Sequence, residues 1–292
     1  MRAAAFAQPG KTMYIRCWGS RGSVPVSGRD YIRYGGDTTC IEIRNQVGDI
    51  VIVDAGTGIR RLGRLLAEEG CRDLHMIFTH AHWDHVMGFP FFKPIYDART
   101  RLRMYRCPYS KFVETMLSKV MAPPYFPVPY GETSAMVSYA EDISCRVSFQ
   151  IGTLAVEAIP LSHPNTGMGY KFTEGGRSFV FLTDNELHYH HAGSVPYDRY
   201  IEFVAGADLL MHDAEYTPEE YPSRRRWGHS TFMDALALAL EGGVQRLGLF
   251  HLNQDRTDRQ VDAIVSKCRE IVDLRGKALE CFAVGTDMEF SL

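Results

Sequence analysis

The chain has 292 residues, 45% hydrophobic and 12% aromatic, with 32 basic against 35 acidic side chains and a formal net charge of −3. This composition supplies a large globular core and argues against a basic nucleic-acid-binding domain, so a nucleic-acid substrate would have to be held by a local patch. Seven cysteines, odd in number and without a C-x-x-C pair, argue against a disulfide framework and for reduced thiols in the cytoplasm. No stretch reaches the roughly 18 apolar residues of a membrane span. The opening MRAAAFAQPGKTM is too short and Ala-rich for a secretory signal. With no linker, low-complexity tract or repeat, the expectation is a single domain over residues 1–292, with 1–12 as a flexible N-terminal extension.

Residues 14–18 read as a short strand entering a Gly/Ser loop, Gly19-Ser20-Arg21-Gly22-Ser23-Val24-Pro25. Residues 39–44 alternate as a half-buried strand does. Residues 50–53 form an apolar strand ending in Asp54-Ala55-Gly56. Ile59, Leu62, Leu65 and Leu66 then follow helical spacing, with Gly70 as the stop. A buried strand over 74–79 leads into His80-Ala81-His82-Trp83-Asp84-His85, and a short helix is expected after Val86-Met87-Gly88. An aromatic, Pro-rich segment over 89–96 follows, then a strand over 102–106. Phe112, Val113, Met116, Leu117 and Val120 fit one helix face. Residues 123–130 are again rich in Pro and aromatics, suited to a pocket wall or lid or to plain core packing.

In the second half, residues 146–151 and 154–159 pair across Gly152-Thr153, and the second strand runs out into Ser162-His163-Pro164. A hairpin of 168–173 with 177–183 ends in Thr183-Asp184-Asn185. A strand over 208–211 leads to His212-Asp213-Ala214-Glu215-Tyr216. Arg224-Arg225-Arg226-Trp227-Gly228-His229-Ser230-Thr231 precedes a helix over 232–240. The strand 246–250 ends in His251, a long helix covers 258–274, and one closing strand is expected near 280–292.

Imidazole nitrogen and carboxylate oxygen are ligand types that zinc takes. Four such groups in one short window can serve two adjacent ions, a known hydrolytic arrangement. The order His80, His82, Asp84, His85 resembles the HxHxDH signature of the metallo-β-lactamase superfamily. The resemblance implies an α/β chain folded as a four-layer αββα sandwich, with the site at one edge between two sheets. It implies that His80, His82 and His163 hold a first metal, that Asp84, His85 and His251 hold a second, and that Asp184 bridges both. Asp184 stands in place of the family's Gly-Asp-Thr segment, with Thr183 replacing the glycine. Asp54 would orient a metal-bound imidazole through its other N–H, or else stabilise its own turn. With these positions matched, His188, His190 and His191 are expected to be surface histidines.

His212-Asp213-Ala214-Glu215-Tyr216, Gly228-His229-Ser230-Thr231 and Phe250-His251-Leu252 are similar to segments of the ribonuclease Z and cyclic phosphodiesterase branch, as is the Gly/Ser loop. The branch implies a two-metal phosphodiesterase in which the ions activate a bridging hydroxide and Asp84 orients it. His229 would protonate the leaving group or position the phosphate, just before a helix capped by Ser230 or Thr231. Asp213 would orient His229, although Asp in place of the branch's Glu leaves Glu215 as a rival. No Gly- and Lys-rich arm resembling that of ribonuclease Z is present, which favours a small or cyclic phosphodiester over transfer RNA. The alternatives are hydrolysis of thioesters, lactones or lactams at the same site, a tRNA 3′-end endonuclease, or a non-catalytic metal-binding protein. Zinc is the expected metal, with manganese or iron next. No membrane partner is expected, and the branch implies a homodimer.

Overall fold

The structure, a computed structural model, describes residues 13–105, 112–140 and 148–292. The expected extension over 1–12 and the outer strand ends at Arg106 and Arg146 lie outside these residues.

Two seven-stranded sheets face each other. The first half of the chain builds β1 (Tyr14–Gly19), β2 (Cys40–Arg44), β3 (Ile50–Val53), α1 (Ile59–Glu69), β4 (Asp73–Ile77), α2 (Trp83–Val86), β5 (Arg101–Tyr105), α3 (Phe112–Val120) and β6 (Met136–Ala140). The second half builds β7 (Phe149–Ile151), β8 (Leu154–Pro160), β9 (Met168–Glu174), β10 (Arg177–Leu182), α4 (Tyr197–Val204) and β11 (Leu209–Asp213). It continues with α5 (Tyr221–Arg224), α6 (Phe232–Glu241), β12 (Arg246–Phe250), α7 (Asp258–Leu274), β13 (Glu280–Ala283) and β14 (Glu289–Ser291). The sheet orders are β14-β1-β2-β3-β4-β5-β6 and β13-β12-β11-β10-β9-β8-β7. β3 to β6 run parallel to one another, as do β10 to β13.

Side-chain alternation sets the layers. On β3, Val51 and Val53 face the core between the sheets, while Ile50 and Ile52 face the helical layer outside. On β10, Phe179 and Phe181 face inward and Val180 and Leu182 outward. A strand apolar on both faces is what a sheet covered on both sides requires. α1 and α3 cover the first sheet, and α4, α6 and α7 cover the second. Each fully buried Phe or Ile contributes about 1.5–3 kcal/mol of transfer free energy. The result is the αββα order expected from the resemblance.

The structure adds to two expectations and corrects a third, the single closing strand. The short helix expected after Gly88 is a 3-10 turn over Phe89–Phe91, followed by another over Lys93–Tyr96, and a further short helix not anticipated from the sequence, α2, carries Asp84 and His85 with His82 at its N-cap. The closing segment is two strands, with β13 in the second sheet and β14 in the first, paired to β1. Between them the chain turns at Gly285-Thr286-Asp287, where Asp287 has φ 69°. The aromatic segment over 89–96 is largely core, with Phe89, Phe92 and Ile95 fully buried under the first sheet. In the second Pro-rich segment Phe126 packs on that layer while Tyr125 stays exposed.

Candidate metal centre and active site

β4, β8, β10, β11 and β12 each end in, or run out toward, a residue of one cluster: His80 to His85, His163, Asp184, Asp213 and His251. The C-terminal edges of the two sheets thus deliver all seven expected ligands to one place. Asp54, Asp184 and His251 take left-handed backbone, with φ of 63°, 53° and 54°. Asp and His tolerate that region better than most residues, and each turns the chain sharply where its strand stops.

Three groups of side chains there can hold a metal ion, each with ligand atoms within 4.8 Å of one another: His80, His82, His163 and Asp184; Asp84, His85, Asp184 and His251; and Asp213, His229 and His251. Asp184 belongs to the first two. Its Oδ1 is 3.2 Å from His85 Nε2, and its Oδ2 is 3.3 Å from His251 Nε2 and 3.5 Å from His80 Nε2. In the first group His163 Nε2 lies 2.9 Å from His82 Nδ1. In the second Asp84 Oδ2 lies 3.1 Å from His251 Nε2 and 3.3 Å from His85 Nε2.

The remaining ring nitrogens are fixed from behind. His163 Nδ1 donates to Gly228 O at 2.8 Å. His85 Nδ1 donates to Asp54 Oδ2 at 2.8 Å, and Asp54 also accepts from the Thr79 backbone and hydroxyl. His251 Nδ1 donates to Glu215 Oε2 at 2.8 Å. Each of these bonds engages Nδ1 and leaves Nε2 aimed at the cluster. His80 Nε2 and His85 Nε2 are buried with no hydrogen-bond partner, which a buried polar atom rarely tolerates. The donor set and these orphaned nitrogens fit a pair of divalent cations.

Two glycines permit this packing. A Cβ on Gly22 would stand 2.3 Å from His251 Nδ1, and one on Gly228 2.0 Å from His163 Nδ1. Next to Gly22, the Ser23 backbone N–H donates to Asp84 Oδ2 at 2.9 Å. The Gly/Ser loop after β1 is therefore part of the site's wall.

The field inside the cluster is uneven. Burial holds His80 and His82 below the usual imidazole range and pushes His163 down to about 3. Burial also opposes charge on His85 and His251, but Asp84 and Asp184 around His85, with Asp184, Asp84 and Glu215 around His251, hold both well above that range. Burial likewise opposes charge on Asp84 and Asp184, yet the neighbouring histidines hold both carboxyls well below the usual range.

A family model described as "Beta-lactamase superfamily domain" matches residues 50–252, more than half of the chain. The chain belongs to the beta-lactamase superfamily. Ribonuclease Z of Haloarcula marismortui is 24% identical, over 90% of this chain and 93% of that protein. Among solved structures, the metallo-beta-lactamase fold protein YhfI from Bacillus subtilis superposes with a TM-score of 0.70 at 17% identity, covering 97% of this chain and all of that one. Yeast PDE1 superposes at 0.71 with 12% identity, over 97% of this chain and 100% of the other. The superfamily's sandwich and a His/Asp cluster able to hold metal are thus both present.

His229 stands beside this cluster. Its ring stacks on His251 at 4.7 Å between centroids and lies 5.3 Å from His163. Its Nδ1 donates to Asp213 Oδ2 at 2.8 Å, whereas Glu215 Oε2 is 3.5 Å away. Asp213 is therefore the closer partner of His229, and Glu215 belongs to His251. Asp213 is itself held by the backbone N–H groups of Asn185 and Glu215. Burial opposes charge on His229, but Glu215 and Asp213 outweigh it and raise the ring to about 9.

The α6 cap is Thr231, in a reciprocal box with Asp234. The Phe232 and Asp234 N–H groups are taken by Tyr216 O and Thr231 Oγ1. The helix end thus spends donors on its own cap, and His229, not the helix terminus, faces the site. Of the three histidines expected at the surface, His188 and His190 are exposed. His191 is not: its side chain is 11% exposed and donates to buried Glu186 at 2.8 Å. Neither Glu186 nor the His251–Glu215 pairing carries a local sequence signal.

Proposed function

We propose that this chain is a two-metal phosphodiesterase acting on a small or cyclic phosphodiester. The observation that supports the reading best is the Asp213–His229 pair set against the two ligand groups. Expulsion of an alkoxide from phosphorus calls for a proton donor at that place, which expulsion of a thiolate from a thioester does not. In this reading His80, His82 and His163 hold one ion, Asp84, His85 and His251 the other, and Asp184 both, with zinc the first candidate for N/O ligands. Bound there, the ions supply a water of lowered pKa and charge to balance the phosphoryl oxygens.

The protein's own groups do the rest. Asp84, braced by the Ser23 N–H, is placed to accept a hydrogen bond from the attacking water. Asp213 holds His229 through Nδ1 and favours its charged form, so that Nε2, on the far edge of the ring, carries the proton toward the leaving oxygen. Asp54 and Glu215 keep His85 and His251 oriented. Apart from half-buried His82, the side chains lining the site are themselves buried, which limits competing water.

Named relatives agree in kind: a ribonuclease Z in sequence and PDE1 in fold. The proposed setting is the cytoplasm; among the described residues no helix is long and apolar enough to cross a membrane. The test is turnover by zinc- or manganese-loaded protein on bis(p-nitrophenyl) phosphate and cyclic nucleotides, beside thioester, lactone and lactam substrates. Turnover of the diesters above the acyl compounds is expected. Turnover of acyl compounds alone would overturn the proposal.

A further inference from the structure

Resting on the phosphodiesterase reading, one exposed segment narrows the substrate. Arg224, Arg225, Arg226 and Trp227 lie on the surface immediately before Gly228 and His229. Trp227 is 57% exposed, although a large apolar ring is normally covered. Among the described residues none of the three arginines has a carboxylate at ion-pair distance. They rest on aromatic rings instead: Arg224 over Trp227 at 4.8 Å, and Arg225 and Arg226 over Tyr189 at 5.6 Å and 5.5 Å.

The segment is built rather than loose. Glu186, fully buried two residues after Asp184, accepts four hydrogen bonds. Tyr221 Oη and Arg226 N donate to Oε1 at 2.8 and 2.7 Å, and Gly228 N and His191 Nε2 donate to Oε2, both at 2.8 Å. Arg226 is held at φ 76°, a conformation unfavourable for a long side chain that persists only where the surroundings impose it. Gly228 in turn receives His163 through its carbonyl. A buried carboxylate therefore ties a cationic, aromatic rim rigidly to a candidate metal ligand and to His229.

We propose that Arg225, Arg226 and Trp227 form a subsite for the nucleotide flanking the scissile phosphate, the arginines taking its second phosphate and Trp227 its base. A single cyclic phosphate, centred on the metal groups, would leave three uncompensated guanidinium groups with nothing to bind. A short linear diester with a further phosphate supplies the anion, and Arg is suited to it by its planar donor fork. Base stacking on an exposed indole adds binding without strong sequence preference.

The probes share one leaving group: thymidine 5′-(p-nitrophenyl phosphate), the same compound carrying a 3′-phosphate, and bis(p-nitrophenyl) phosphate. The metal-loaded enzyme is expected to favour the 3′-phosphorylated compound in kcat/KM by about 10-fold or more at low salt, and this preference should shrink as salt rises. Arg225→Ala/Arg226→Ala should reduce the preference to near unity. Trp227→Ala should raise KM for both thymidine compounds relative to bis(p-nitrophenyl) phosphate. Arg64→Ala, an exposed cation on α1, should leave the preference intact. Melting temperature and metal content of each variant report whether the fold has survived. Wild-type turnover of bis(p-nitrophenyl) phosphate with no preference for the 3′-phosphate, or a preference that survives loss of both arginines, overturns the subsite and leaves the phosphodiesterase standing. No turnover of any of the three diesters removes the parent reading instead.

Discussion

The two ligand groups share Asp184 but are backed differently. Behind the first, His163 leans on a neutral carbonyl, Gly228 O, and His80 Nδ1 lies 3.1 Å from the Thr79 hydroxyl. Behind the second, His85 and His251 each lean on a buried carboxylate, Asp54 and Glu215. A carboxylate behind an imidazole makes it the more basic ligand; here Asp84 and Asp184, which face the cluster, do most to hold His85 and His251 up, with Asp54 and Glu215 adding to them, while burial pushes His80, His82 and His163 down. From the two buried carboxylates behind His85 and His251 we predict that the second pocket, on which His229 stacks through His251, holds a cation more strongly than the first.

The variant that breaks this comparison outright is Asp184→Ala. Both pockets lose their common carboxylate, so metal content should fall at both, and activity with it. Elemental analysis that still finds two ions per chain would remove the bridging role. Gly228→Ala should act on one pocket only. Its Cβ would lie 2.0 Å from His163 Nδ1 at φ 95°, so His163 must move. Metal content is expected to drop to about one ion per chain, since only Gly allows that backbone and that approach. Loss of both ions, or of neither, would show that the pockets are not independent in this way. Smaller still, Glu215→Gln and Asp54→Asn should each weaken the second ion by about 10–100-fold while sparing the first. Competition with a chelator resolves two affinities, and equal weakening of both would erase the distinction between the pockets.

The sequence carried the site better than its support. His80, His82, Asp84 and His85 form a dense motif, and His163, Asp184 and His251 each stand just past an apolar strand, so position and residue type agreed. The braces come from elsewhere in the chain: Glu215 reaches His251 across 36 residues, and Glu186 reaches Gly228 across 42. No local pattern predicts such pairs. His191 reads as a surface residue because its neighbours are polar, yet it is drawn inward by Glu186. Among the elements, β6 was missed because Met136-Val137-Ser138-Tyr139-Ala140 is an edge strand with only its last residue buried. α4 was missed behind Pro196, which occupies its N-cap. The closing run reads as one strand because no proline or charge cluster marks the point at which it changes sheets.

In the proposed mechanism His229, oriented by Asp213, gives a proton to the leaving oxygen of a phosphodiester. Steady-state rates of His229→Ala across diesters with the same acid part and leaving groups from nitrophenolate to alkoxide test it directly, with metal content measured alongside. Metal content is expected to stay unchanged, with a loss of roughly 10²–10⁴-fold for alkoxide leaving groups and a much smaller loss for nitrophenolate, which departs without a proton. Equal losses across the series, or none, would contradict it.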